Sequence, residues 1–146
     1  MKIKVWLDKK FTEPEILICA QEKTPEVKEL QRKVAEALNV SITGYTLNGT
    51  QLILCNDIIR IYSQEDRVFA ECKDGIFTVR KKLYELEQLL PRDQFVRISR
   101  AELVNIHKIK RMDTSLTGTI KMILSGDIET YVSRRNVSKI KTILGL

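Results

Sequence analysis

Arg97, Arg100, Lys108, Lys110 and Arg111 fall in one stretch, "FVRISRAELVNIHKIKRM", that carries a single acid, Glu102. Side chains of this kind hold anions, arginine as a planar fork and lysine as a point charge. Arg134 and Arg135 stand where a closing helix should begin, and a helix N-terminus disfavours cations. Two arginines at that spot also point to an anionic partner. The distribution of charge agrees. Residues 1–40 carry 8 basic and 7 acidic side chains, residues 41–90 carry 6 and 7, and residues 91–146 carry 11 and 5. The whole excess of +6 therefore sits in the last third, a one-sided footprint for a polyanion.

Other chemistries lack their residues. There is no Gly-rich phosphate loop, no Cys-x-x-Cys pair and no Ser/His/Asp set beyond chance. Glu85 and Glu87 lie on an amphipathic helix and read as solvent-facing. His107 is the single histidine, which excludes a Cys₂His₂ finger and leaves a surface or capping role. No enzyme, metal, cofactor or small-molecule substrate is expected. Cys19, Cys55 and Cys72 are odd in number and sit in apolar, strand-like surroundings, so they read as reduced core residues of an intracellular protein. The N-terminus, "MKIKVWLDKKFTEPE", lacks the apolar core of a signal peptide, and no run approaches the ~20 apolar residues of a membrane span. A cytoplasmic location follows as an expectation.

The elements that must position these side chains fall into two regimes. "MKIKVWLD" and "PEILICA" read as strands. "TPEVKELQRKVAEAL" reads as a helix, with Thr24 as N-cap, Pro25 at its first position, and Val27, Leu30, Val34 and Leu38 on one face. This β-β-α unit spans residues 1–40 and should end near Asn39. "SITGYTLNGTQ" is a polar connector with room for a short strand. Beyond it, "QLILC", "DIIRIYS", "RVFAECK" and "GIFTVR" read as short strands, and "KKLYELEQLL" as a helix burying Leu83, Leu86 and Leu90 and stopped by Pro91. After the strand "FVRIS" a turn of helix is expected near 100–104, with Asn105 bonding backbone at a turn. "TIKMIL" and "IETYVS" form a hairpin through Ser125-Gly126-Asp127. A terminal helix follows, with Ser133 as N-cap, Val137, Ile140 and Leu144 buried, and Gly145 as its stop. The class is α+β, mainly β, with about seven short strands in the second part. No helix-turn-helix is evident, because no two helices are joined by a tight turn.

Residues 95–137 carry a resemblance. "FVRISRAELVNIHKI" resembles the signature of the LytTR DNA-binding domain, with Phe95, Arg97, Arg100, Val104, Asn105 and Ile109 matching. Ser99 stands where the family commonly has His, and Ala101 where it has Ser. "YVSRRNVSKI" is similar to the family's closing strand-to-helix segment, "NDIIRIYS" to its opening strand, and "LYELEQLLPRDQFVRI" to the helix before the signature. The resemblance covers residues 47–146. It implies an elongated arrangement of mostly antiparallel sheets that reads the DNA major groove with loops and strand ends. Carried over residue by residue, base contacts fall on Arg100 and Arg135, and the first loop, "SQEDR", offers Arg67, beside the acids Glu65 and Asp66. Arg134, Arg97, Ser99, Lys108, Lys110 and Arg111 are expected as phosphate or auxiliary contacts.

The expectation is a sequence-specific regulator of transcription that binds double-stranded DNA at paired repeats. The alternative is a basic-edge module for RNA or an acidic protein. Family members usually carry a receiver domain, and the residues before 47 are too few for one. The resemblance also suggests a membrane-protein regulator as partner. Residues 1–40 are too few to fold alone. They must cover a sheet of their own chain or pack on a second copy, and the near-3.5-residue spacing of Val27, Leu30, Val34, Ala37 and Leu38 favours a homodimer.

Overall fold

The computed structural model describes residues 1–12, 14–38 and 41–146. The chain divides into two compact units, Met1–Leu38 and Asn39–Leu146.

In the first unit, helix α1 (Pro25–Ala37) forms where the sequence places it. Thr24 caps it: the Val27 N–H donates to Thr24 Oγ1 at 3.3 Å, satisfying one of the orphan donors of the first turn. Val27, Leu30 and Val34 are half-buried, and a cleft forms between Ile16, Ile18, Val27, Val34 and Leu38. The two expected strands do not form. No ladder joins any described residues of 1–20. Alternation gives a segment a strand's faces, but a strand also needs a neighbour for its backbone groups. These runs find none. Instead Asp8 turns the chain, its carbonyl accepting from Phe11 N–H at 3.2 Å, and Trp6 meets Phe11 edge-on at 5.5 Å. Cys19 is exposed, which corrects its expected core position. The expected end of the unit near Asn39 lies outside the described residues.

The second unit is built from antiparallel strands. Seven of them, β1 (Ser41–Thr46), β2 (Gly49–Leu54), β3 (Ile58–Gln64), β4 (Arg67–Cys72), β5 (Gly75–Val79), β6 (Phe95–Ser99) and β7 (Glu102–Asn105), form one sheet in the order β2-β1-β5-β4-β3-β7-β6. Three more, β8 (Ile109–Asp113), β9 (Ile120–Leu124) and β10 (Ile128–Val132), form a second sheet in the order β10-β9-β8. The connector "SITGYTLNGTQ" holds β1 and part of β2 as a hairpin. Gly44 in β1 permits the close approach to β5: a Cβ there would come within 2.8 Å of Phe77 Cβ, which no side chain tolerates.

Two cores hold this unit. Ile58, Ile61, Leu103 and Phe95 on one face of the large sheet pack with Leu83, Leu86 and Leu90 of helix α2 (Leu83–Leu89) and its C-cap. Ile59, Val96, Ile98 and Val104 on the other face pack with Ile120, Met122, Leu124 and Val132 of the small sheet and Ile140 of helix α3 (Val137–Leu144). Complete burial of Leu86 alone contributes about 1.5–3 kcal/mol. The turn of helix expected near 100–104 is instead strand β7. All four of its residues are buried, because it lies inside the large sheet with cores on both faces. A 3-10 turn over Arg134–Asn136 precedes α3, so Ser133 does not cap α3 directly. Gly145, at φ +71°, ends that helix.

Candidate nucleic-acid interface

Of the arginines singled out in the sequence, Arg67, Arg100, Arg134 and Arg135 lie on or beside three turns, which strand pairing brings to one end of the sheets. β3 runs into the Glu65–Asp66 turn, and β7 runs away from the Arg100–Ala101 turn. They pair as Arg60–Val104, Ile61–Leu103 and Tyr62–Glu102. One step further out, the Ser63 N–H donates to the Ala101 carbonyl at 2.8 Å, so the two turns abut. On the other flank the Ser133 N–H donates to the Ile98 carbonyl at 2.9 Å. That bond anchors the segment leading into Arg134 and Arg135 on β6, at the residue before Ser99. Arg67, Arg100, Arg134 and Arg135 are all exposed, and among the described residues none of them enters an ion pair.

The turns themselves are fixed. Glu65 and Asp66 both adopt positive φ, 51° and 62°, the two-residue hairpin geometry that matches strand twist. The pairing Gln64–Arg67 closes it and leaves Arg67 at the root of an acidic tip. In the second turn, Ser99 Oγ accepts from the Ala101 N–H at 3.3 Å. Arg97 Nε donates to the Ser99 carbonyl at 2.8 Å, and its Nη2 to the Arg100 carbonyl at 2.6 Å. Its Nη1 pairs with Glu87 of α2 at 2.8 Å. The guanidinium of Arg97 is therefore spent on holding the Arg100 turn, and Ser99 is spent likewise. Both were expected as auxiliary contacts; their geometry is that of supports. Arg134 lies over Gly118, whose φ is +75°, and a Cβ there would sit 3.2 Å from Arg134 Nε.

Lys108 and Lys110 are not brought to this end. β7 carries the chain away from the Arg100 turn, and the Ile106 N–H bonds the Gln94 carbonyl at the opposite end of β6. Lys108 closes the 3-10 turn that follows. Ile109 then pairs with Leu124, beside the Ser125–Asp127 turn, and Lys110 Nζ bonds Asp127 Oδ1 at 2.9 Å. That lysine holds the Asp127 carboxyl below its ordinary range. Arg111 is exposed on β8, the edge of the small sheet. The basic run of residues 95–112 is thus contiguous in sequence and divided in space, because it contains a whole strand.

Sequence reasoning missed a buried polar network behind the turns. Glu102 accepts from Thr130 Oγ1 at 2.6 Å and from Arg60 Nη1 at 3.1 Å. Arg60 Nε bonds Glu71 at 2.7 Å, and its guanidinium carbon stands 4.6 Å from the centre of the Tyr62 ring. Burial pushes the Tyr62 hydroxyl above its usual range, and the Glu71 carboxylate adds to the shift. Asn105 behaves as its sequence context implies: fully buried, it donates to the Ile58 carbonyl at 2.8 Å and accepts from His107 N–H at 3.0 Å. His107 is exposed. Among the described residues no group of three or more His, Cys, Asp or Glu side chains could hold a metal, and no helix is long and apolar enough to cross a membrane.

Comparison with known proteins agrees with the geometry. The family model for the LytTr DNA-binding domain matches residues 48–145. The chain is 31% identical over 151 aligned positions to an uncharacterized HTH-type transcriptional regulator of Staphylococcus aureus strain MSSA476, covering 100% of this chain and 99% of that protein. A relative of the same description from the bovine strain RF122 is 30% identical over the same span. In this chain the described residues hold no pair of α-helices joined by a tight turn, whatever those relatives are named. Among solved structures, the LytTr DNA-binding domain of a methyl-accepting/DNA response regulator from Bacillus cereus superposes with a TM-score of 0.70 at 23% identity, covering 73% of this chain and 97% of that one. That structure establishes likeness of fold, and the family match spans about two thirds of the sequence: the chain belongs to the LytTR family of DNA-binding domains.

Proposed function

We propose that this protein is a cytoplasmic transcriptional regulator that binds double-stranded DNA sequence-specifically from the end of its sheets. The observation that carries the reading is the pair of backbone bonds, Ser63 to Ala101 and Ser133 to Ile98. They gather three turns whose arginines are exposed and, among the described residues, enter no ion pair. In this reading Arg100 and Arg135 enter the major groove and fork onto guanine O6 and N7, while Arg134 and Arg67 stand beside them. Glu65 and Asp66 would repel phosphate but can accept from cytosine N4. The base-contacting groups sit on turns held by strand ladders, so little ordering is needed on binding.

We further propose that the protein acts as a homodimer on paired repeats, through residues 1–40. Large apolar side chains exposed in that segment, Ile3, Val5 and Leu7 among them, support a covering partner, and two linked modules gain affinity without new chemistry. Selection of duplexes from a random pool tests the central reading. The expected result is an enriched motif repeated at a fixed spacing. A pool that stays random through successive rounds, with binding still detectable, would leave only a non-specific polyanion binder.

A further inference from the structure

Arg80, Lys81 and Lys82 follow β5 in a region where acids outnumber bases, and linear charge passes over them. Topology changes their meaning. β4 and β5 end their pairing at Val68–Val79, so Arg67 and Arg80 are the next positions outward. They lie at the sheet end that holds the Glu65–Asp66 and Arg100–Ala101 turns. Like charges at facing positions of neighbouring strands cost stability, and among the described residues neither arginine has an ion-pair partner. Arg80 is nonetheless held in place: its guanidinium carbon lies 3.9 Å from the centroid of the Tyr45 ring. Lys81 and Lys82 are exposed. Glu85 bonds the backbone N–H of Lys82 at 3.3 Å and forms no ion pair with these lysines.

We propose that Arg80, Lys81 and Lys82 form a separate site for the sugar–phosphate backbone of duplex DNA, flanking the arginines that read bases. The proposal rests on the reading that the Arg100 end meets DNA. The spacing fits. Strands lie about 4.8 Å apart, so β5 and β7, three intervals apart in the sheet, are separated by roughly 15 Å. The major groove is about 12 Å wide. With Arg100 inside the groove, residues 80–82 fall over the backbone that borders it. Between them stands the Glu65–Asp66 turn, whose two carboxylates cannot face phosphates and so must lie over the open groove. The acidic turn thus separates a base-reading arm from a backbone-holding arm. Contacts of the second kind fix register and carry no base preference of their own.

The test uses the full chain and compares wild type, K81A/K82A and R80Q/K81A/K82A on the selected duplex and on a scrambled one, across a series of salt concentrations. The wild-type slope of log K against log salt should be about −4 to −7 for the whole basic end. The double variant should be shallower by about 1–2, and the triple variant by up to about 3. Affinity should fall by similar factors on both duplexes, and base preference at every position of the motif should be retained. K81A/K82A leaves the Arg80–Tyr45 contact in place, and melting curves of all three proteins report on the fold. Wild-type slopes in both variants would overturn the site while leaving the DNA reading intact. A preference altered at one base pair would also overturn it, by making these residues base readers. A wild-type protein that binds no duplex would remove the underlying reading itself.

Discussion

Thr130 Oγ1 donates a 2.6 Å hydrogen bond to Glu102 Oε2, and the two residues belong to different sheets. Glu102 opens β7, directly after the Arg100 turn, and Thr130 lies in β10, directly before the Arg134–Arg135 turn. Both are buried. The second carboxylate oxygen accepts from Arg60, so the charge is fully answered inside the protein. Arg60→Met would leave Glu71 and Glu102 without their cation. The expected cost is about 3–5 kcal/mol, read by urea denaturation. Thr130→Val keeps the shape and removes the donor, at about 1–3 kcal/mol. An unchanged denaturation midpoint for both variants would show that the network does not join the sheets.

Arg100→Ala and Arg135→Ala should each lose about 1–3 kcal/mol of affinity on the selected duplex and relax preference at one or two base pairs. Lys110→Ala, which removes a side chain paired with Asp127 at the opposite end, should change affinity by less than about 0.5 kcal/mol. Titrations against single-base-pair variants of the motif would measure all three. Equal losses on specific and scrambled DNA for Arg100→Ala would make it a phosphate contact.

Arg97→Lys should weaken DNA binding although Arg97 serves its own chain. A lysine keeps the charge near Glu87 but cannot span the Ser99 and Arg100 carbonyls as the guanidinium does. The expected loss is about 1–2 kcal/mol in affinity, larger than the loss of folding stability measured in parallel. Full activity in Arg97→Lys would show that the turn keeps its form without the fork.

Cys19 is exposed, Cys55 is buried and Cys72 is half-buried. Burial pushes the Cys55 and Cys72 thiols up to about 11 from an ordinary 9.0, and for Cys72 the Asp57 and Asp74 charges add to the shift. A disulfide reagent near pH 8 should therefore modify one thiol quickly and two slowly, and all three quickly in urea. The fold favours the neutral thiols, so this contribution is intact below pH 9 and is lost as pH rises toward 11. Thermal melts across that window should show a progressive fall. Three equally fast thiols in the folded protein would contradict the burial described.

Sedimentation of the full chain at tens of micromolar, without DNA, should give a dimer, and a chain starting at Ser41 should give a monomer. A monomeric full chain, or a shortened chain that dimerises as well, would remove residues 1–40 from the role proposed for them.

Most of the second unit was legible because its strands alternate and its turns carry Asn, Asp and Gly. Helix α2 announced its buried Leu83, Leu86 and Leu90, and α3 its Gly145 stop. β7 was not legible. "ELVN" is buried on both faces, so it shows no alternation, and its one carboxylate finds partners in Arg60 and Thr130, far away in sequence. For the same reason the basic run 95–112 read as one edge: the strand that divides it was invisible. Arg100, Arg134 and Arg135 stood out by local charge and motif, whereas Arg80–Lys82 gained significance only when the register set them beside Arg67. Residues 1–20 show the reverse case, a clear alternating pattern with no ladder among the described residues.

The bond from Ser133 to the Ile98 carbonyl has a consequence for the life of the chain outside DNA. β6 is the last strand of its sheet, and open strand edges recruit other chains into cross-molecular sheets. The segment that enters the Arg134–Arg135 turn occupies that edge at Ile98, and it comes near the end of the sequence. During synthesis β6 emerges well before its cover. A chain cut short before β10 would present an apolar, unguarded edge, so its first fault would be aggregation, ahead of any failure to recognise an operator.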